Sequence, residues 1–224
     1  MNVRHAQIAA AALLVLSLAG CSGSSSTDAR SPSAASPEEL NAQPAAQKAA
    51  SSLPTGPGPQ AKYRVQDQPA AGSCHYRYTA VKEPLTDAKC TPGALNPKVT
   101  QATLKQTICS PSGYTKGIRP PVSVTGPEKA ANAKSYSYTG PLHDAEYDHL
   151  ISLELGGDPN DPRNLWVEPP SPGHKPGAGP NNPKDVVESK LHTAICSGKT
   201  QLAPAQQAIA TDWTTALTKL RISK

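Results

Sequence analysis

The sequence predicts an α+β fold, in which two short strands and several helices form one small domain held by disulfide bonds. Tyr147–Leu155 and Asn164–Val167 have strand character, and a glycine-rich loop separates them. Val187, Leu191 and Ile195 recur at the spacing of one helix face. Four cysteines lie in the same part of the chain, which contains no phenylalanine, and a core with few large apolar side chains benefits from such cross-links.

The first half of this domain is predicted to contain one short strand and two helices. Cys74–Tyr78 is a candidate strand. A helix is predicted over Asn96–Cys109, because its asparagine is a good N-cap and the proline that follows fits the first helical position. Gly113–Pro121 is predicted to turn the chain, and Pro127–Lys134, which is rich in alanine and lysine, is predicted to form a short helix.

The second half is predicted to be helical after an irregular segment. Ser171–Pro183 is rich in proline and glycine, which excludes regular structure there. Lys184–Cys196 is predicted to be a helix, and Ser197-Gly198 after it is typical of a helix end. Pro204–Leu220 is predicted to be one further helix with a single apolar face.

The first 20 residues are predicted to be an export signal. A short basic start is followed by the apolar run Ile8–Leu18, which is too short to span a bilayer. The ending Leu-Ala-Gly-Cys resembles a bacterial lipobox, in which Cys21 is lipidated and anchors the protein to the membrane. The protein is therefore expected to be exported and lipid-anchored on the extracellular face of the cell membrane. The alternative is an ordinary signal peptide followed by a chance cysteine.

Residues 21–60 are predicted to be a disordered tether, and residues 61–224 a folded domain. The tether is rich in serine, alanine and proline and has too few large apolar side chains to offset the entropy of ordering. Lysine and arginine number 22 against 17 acidic residues, a formal charge of +5 for the whole chain. This mild basic excess is compatible with a polyanionic partner but does not establish one.

The cysteines that remain are predicted to form two disulfides, since an even number is typical of exported domains. Three pairings are open for these four residues, Cys74, Cys90, Cys109 and Cys196. A zinc site is the alternative, but the sequence has no pair with the Cys-x2-Cys spacing, and the separations are long.

The side chains best suited to chemistry lie between the two predicted strands. Hydrolysis of a phosphodiester needs a base that activates water and a cation that stabilises charge on the phosphate. His149 can supply the base near neutral pH, and Asp148 beside it offers hard oxygen ligands. Neighbouring residues on a regular strand point in opposite directions, so the strand must break or twist here. Asn164 follows the loop and is placed to tie it to the strand that carries the histidine, or to reach the metal.

The motif series resembles the HNH (His-Me finger) nucleases, within a subgroup of small exported proteins. The series runs from Cys-Thr-Pro-Gly at 90–93 through Glu146–Gly157 and Asp161–Pro169 to Lys184–Gly198, and so covers most of the domain. The resemblance implies a ββα-metal core with additional helices. It also implies that His149 is the general base, that Asp148 binds a divalent metal, most simply Mg²⁺ with Mn²⁺ as an option, and that Asn164 fixes the loop.

The predicted helix after the proline- and glycine-rich segment should supply the remaining metal ligand. Asp185, Glu188 and His192 share one face of it. Glu188 and Asp185 are the candidate ligands, with His192, Glu146 and Glu154 as candidates for orienting the base or a ligand. The alternative is that the helix residues form a solvated face, with Lys184 and Glu188 as an ordinary i, i+4 ion pair.

The resemblance implies a metal-dependent, non-specific endonuclease that acts on DNA or RNA outside the cytoplasm. No recognition helix or array of aromatic and basic residues for reading a sequence is visible. The alternative is an inactive envelope lipoprotein that uses the same fold to bind nucleic acid or a partner, because a fold does not establish an activity. No protein partner is indicated.

Overall fold

The structure, a computed structural model, describes residues 53–223. The predicted signal at 1–20, Cys21 and most of the predicted tether lie outside these residues. Two strand pairs are present, β1 (Arg77–Tyr78) with β2 (Pro84–Leu85) and β3 (Glu146–His149) with β4 (Leu165–Glu168). The α-helices are α1 (Tyr114–Ile118), α2 (Val122–Ser135), α3 (Lys184–Cys196), α4 (Leu202–Thr211) and α5 (Trp213–Lys219). Within this part of the chain, no helix is both long enough and apolar enough to span a bilayer.

The fold is therefore α+β, as predicted. The antiparallel pair β3–β4 has a simple register in which Glu146 lies opposite Glu168 and His149 lies opposite Leu165. All four residues of β4 are buried. Trp166 is fully buried and packs with Tyr136 and with the disulfide at Cys74, so it is a core residue.

The main hydrophobic core lies between helices α3, α4 and α5 and the loop that follows β3. Its fully buried members include Ile151 and Leu155 from that loop, Leu191 from α3 and Ile209 from α4. The loop side chains pack the segment after β3 against the helices. The end of β3 and the beginning of α3 are therefore held close together. This packing positions the residues discussed below.

Two disulfides are present, as predicted, and the structure selects one of the three pairings. Cys74 bonds to Cys90, and Cys109 bonds to Cys196. The second bridge joins the end of α3 to a segment 87 positions earlier in the chain. It therefore encloses β3, β4 and most of α3 in one covalent loop.

Residues 53–60, which were expected to belong to the tether, pack on the domain. Gly56 N donates to the Leu95 carbonyl oxygen at 2.9 Å, and Leu95 N donates to Pro54 O at 2.8 Å. Gly58 N donates to the Asp158 carboxylate at 2.6 Å. A side chain on Gly56 would collide with Asp158, so glycine is needed for this close approach.

Several elements differ from the sequence prediction. The helix expected over Asn96–Cys109 is reduced to a 3-10 helix at Gln101–Gln106, because the Asn96 side chain instead accepts from Lys98 N and the segment is rich in β-branched residues. The helix expected over Pro204–Leu220 is interrupted at Asp212, which is extended and caps α5 by accepting from Thr214 N.

The strand expected over Tyr147–Leu155 ends at His149, and a 3-10 helix occupies Leu153–Leu155. The helix expected at Pro127–Lys134 begins earlier, at Val122.

Candidate functional site

The loop between β3 and β4 is fixed by the side chain of Asn164. Its Oδ1 accepts from Ile151 N at 3.0 Å, and its Nδ2 donates to the carbonyl oxygens of Ile151 and Asp158, both at 3.0 Å. The residue is fully buried. A side chain on Gly157 would collide with the Ile151 carbonyl oxygen, so glycine is required beside this amide. Asn164 thus ties both ends of the loop together, the place that the sequence indicated for it.

His149 is the last residue of β3, and its ring is held by the same loop. Nε2 lies 3.0 Å from the Pro159 carbonyl oxygen. Because a carbonyl can only accept, Nε2 carries the proton and Nδ1 keeps a lone pair. No residue between 53 and 223 forms a hydrogen bond with Nδ1. Burial lowers the pKa of His149 to about 4, so the ring is neutral at physiological pH.

Asp148 and Glu188 meet at the ammonium group of Lys184. Lys184 Nζ lies 2.5 Å from Asp148 Oδ2, 2.5 Å from Glu188 Oε1 and 3.0 Å from the His149 carbonyl oxygen. The side chain of Lys184 is fully buried, and both carboxylates are nearly so. Lys184 opens α3, so this contact joins the first turn of the helix to the end of β3.

The charge of Lys184 is stabilised by its surroundings. Burial opposes the ammonium, but the carboxylates of Asp148, Glu188 and Glu168 outweigh that effect and raise the pKa of Lys184 well above its ordinary value. The ion pair between Lys184 and Glu188, which was the alternative to metal binding by Glu188, is present. The pair is buried rather than solvated, which is a different environment from the solvated helix face considered from the sequence.

Glu168 is a member of the site that the sequence prediction missed. It lies on β4 directly opposite Glu146, and Asn182 Nδ2 reaches Oε2 of both residues, at 3.4 Å and 3.2 Å. Burial and the charge of Asp148 raise the pKa of Glu168 well above its ordinary value, and the same two causes raise the pKa of Glu146. Its signal in the sequence was an acid at the end of an apolar strand segment.

The proline- and glycine-rich segment between β4 and α3 is held in place despite its lack of regular structure. The buried carboxylate of Asp144 accepts from Gly177 N at 2.9 Å and from Gly179 N at 3.0 Å. Farther along, Asn182 caps Lys184 N through its Oδ1 at 3.1 Å. Asp144 and Asn182 therefore hold the start of α3 beside β3. Neither residue was recognised from the sequence.

The other predicted site residues lie in three different places. Asp185 lies on the first turn of α3 and is exposed as a whole residue. Partial burial of its carboxyl group and the charge of Asp148 raise its pKa. Glu154 is half-buried in the 3-10 helix and forms no ion pair with another residue in 53–223. His192 lies at the far end of α3, where its Nε2 is 2.8 Å from the Ile108 carbonyl oxygen. The structure thus brings the carboxylates of Asp148 and Glu188 and the main-chain carbonyl of His149 to Lys184, but not His192.

A second group of potential metal ligands surrounds one of the disulfides. The ligand atoms of Cys109, His192 and Cys196 all lie within 4.8 Å of one another. The two sulfurs are bonded to each other, so neither is a thiolate, and the thiolate is the form that binds metal. A Cys-His-Cys centre therefore exists only in the reduced protein.

The resemblance implies a divalent ion at Asp148 and a residue of α3, and the carboxylate oxygens are ligands that Mg²⁺ prefers. The point between Asp148 and Glu188 is, however, filled by Lys184 Nζ. Within residues 53–223, the three-residue group compact enough to chelate is the cysteine–histidine group and not these carboxylates. The residues as arranged do not fit a divalent ion at this point.

Comparisons of this chain with protein-family models, with curated proteins and with solved structures found no match.

Proposed function

We propose that the protein hydrolyses phosphodiester bonds of DNA or RNA, with His149 as general base. The observation that carries this proposal is the tautomer and the neutral charge of the His149 imidazole. Nε2 is fixed by the Pro159 carbonyl, and Nδ1 keeps its lone pair. Burial lowers the pKa of His149 to about 4, which keeps the ring unprotonated over the whole physiological range and also makes it a weaker base than an ordinary histidine.

In this reaction Nδ1 of His149 takes a proton from water, and the hydroxide attacks phosphorus opposite the leaving oxygen. The bond from phosphorus to that oxygen breaks, and the departing alkoxide takes a proton from solvent water. The family resemblance implies a 5′-phosphate product. Arg119 is exposed, and its charge acts on both His149 and Asp185. It is therefore suited to binding a substrate phosphate beside the base. The fixed loop and the buried Asn164 keep the imidazole from turning away.

The two disulfides support a substrate outside the cytoplasm. Two disulfides are typical of proteins that work in an oxidising environment. With lipidation at Cys21, the proposal places the enzyme at the outer face of the cell membrane, where it meets extracellular nucleic acid. The resemblance also implies Mg²⁺ as cofactor, and assays therefore need both added metal and chelator.

The second candidate is a binding protein without catalytic activity. One observation favours it: Asp148, His149 and Glu188 are each less than a tenth exposed, and Lys184 satisfies both carboxylates. Such a network also stabilises a fold. The two candidates differ in one assay, in which plasmid DNA and RNA are incubated with wild type and with His149→Ala in Mg²⁺, Mn²⁺ or chelator. Intact substrate with wild type in every condition selects the binding protein.

A further inference from the structure

We propose that Lys184 is the resident cation of this site: its ammonium replaces a divalent ion between Asp148 and Glu188 and fastens the strand that carries His149 to helix α3. This inference deepens the function proposed above, since it names the cation at the same site. It makes a claim about metal binding that is tested without any measurement of activity.

The first support is that Lys184 Nζ is fully used. An ammonium has three hydrogens to donate, and here there are three acceptors, namely two carboxylate oxygens and the His149 carbonyl oxygen. The group is completely buried. All three N–H donors of the ammonium are therefore satisfied, and the carboxylate oxygens that face each other, Asp148 Oδ2 and Glu188 Oε1, are both bound to it.

The second support is the cost of moving the lysine aside. Lys184 is the first residue of α3, and its backbone N–H is capped by Asn182. A divalent ion would have to expel the side chain from the protein interior. Removing one partner of a buried ion pair is strongly destabilising, because it leaves the other charge buried without compensation. Mg²⁺ also surrenders its own water reluctantly, and it would have to do so to enter a site as buried as this one.

The third support is the way the contact joins the elements. The three acceptors come from β3 and α3, so one side chain sets the distance between strand and helix. The His149 carbonyl belongs to the residue whose ring is the proposed base. Lys184 is therefore a positioning residue for His149. It does not touch substrate, because its ammonium has no exposed surface.

The inference is tested by Mn²⁺ titration of the full-length protein, with free Mn²⁺ followed by electron paramagnetic resonance. Wild type and Glu188→Gln are expected to bind Mn²⁺ equally, because any Mn²⁺ that wild type binds is held at sites that do not include Glu188. Lys184→Met leaves two carboxylates without a cation and is expected to gain a Mn²⁺ site at least tenfold tighter than any in wild type. Adding Glu188→Gln to Lys184→Met should remove that site. Lys190→Met, on the same helix, is the matched control and should gain nothing.

Circular dichroism and thermal melting show whether each variant folds. The inference is overturned if wild type holds a Mn²⁺ ion that Asp148→Asn and Glu188→Gln both release, or if folded Lys184→Met gains no site. If Lys184→Met does not fold in the absence of metal, the inference is still tested by comparing Mn²⁺ binding in wild type and Glu188→Gln, because equal binding shows that wild type holds no ion at Glu188. An inactive protein that gives the expected titrations would defeat the proposed hydrolysis and leave this inference standing.

Discussion

The ring of His149 and the carbonyl oxygen of Pro159 are joined by a hydrogen bond of 3.0 Å, which fixes the tautomer of the imidazole. The loop that carries Pro159 is itself tied down by Asn164 through the Asp158 carbonyl. The proposed base is thus oriented by main-chain atoms rather than by a carboxylate. This arrangement leaves the ring neutral, and it makes the loop as important for the chemistry as the histidine.

The first prediction concerns the pH dependence of cleavage. Burial lowers the pKa of His149 to about 4, so the unprotonated base is present at all pH values above that. The acid limb of log(kcat/KM) against pH should therefore lie near pH 4, and not near 6.5, the ordinary value for histidine. A steady-state profile from pH 3.5 to 8 measures it. A limb near 6.5 would show that the ring is solvated in the working protein.

The second prediction concerns the loop. Asn164→Asp replaces two N–H donors by a carboxylate oxygen that faces the Ile151 and Asp158 carbonyl oxygens. We expect the free energy of unfolding to fall by about 3 kcal/mol or more, because a buried charge is left facing acceptors. Urea denaturation measures the loss, and the exposed Asn181→Asp is the control. A change in Asn164→Asp no larger than in the control would mean that the loop is held by other contacts.

The third prediction separates the two disulfides. Cys109 and Cys196 are 87 positions apart, whereas Cys74 and Cys90 are 16 apart. Closing the longer loop restricts the unfolded chain more, by roughly 1 kcal/mol out of about 3–5 kcal/mol per bridge. Replacing both cysteines of the long bridge by alanine should therefore destabilise the protein more than replacing both of the short one. Thermal melts of the two double variants compare them, and the opposite order would contradict this account.

The fourth prediction concerns a buried acid on α2. Glu128 is fully buried, its Oε2 has no partner among the described residues, and burial raises its pKa to about 7. A folded pKa above the unfolded one gives stability that is present below pH 4.5 and lost as pH rises through 7. Glu128→Gln should remove that loss, on the order of 2 kcal/mol between pH 5 and pH 8. Chemical denaturation at both pH values tests this, with half-buried Glu154→Gln as control. Parallel pH dependence in wild type and Glu128→Gln would refute it.

The sequence predicted best those elements whose apolar residues repeat at a clear spacing. Helix α3 was predicted over its full range because Leu191 and Ile195 repeat at helical spacing and both are buried. A break or twist was expected at Asp148 and His149; β3 ends at His149, but both residues still pair in regular register with β4. The helix expected over Asn96–Cys109 was mostly wrong, because side-chain caps at Asn96 and Thr100 compete with the helical hydrogen bonds.

The composition of the site was harder to predict than its location. A lysine in the first turn of a helix is ordinarily a surface residue, so the burial of Lys184 is visible only once β3 and α3 are packed together. Glu168 reaches the site through the strand register, which places it opposite Glu146. The pairing of the cysteines likewise depends on tertiary distances that no spacing encodes.

The claim that His149 is a catalytic base is tested most directly by cleavage of plasmid DNA and RNA by wild type, His149→Ala and His192→Ala. His192 is the matched control, because its Nε2 also contacts a main-chain carbonyl but lies away from the proposed site. With Mg²⁺, Mn²⁺ and chelator each present in turn, wild type and His192→Ala should cleave in at least one condition, and His149→Ala should be slower by about 100-fold or more. Equal cleavage by wild type and folded His149→Ala, or none by wild type in any condition, would contradict the claim.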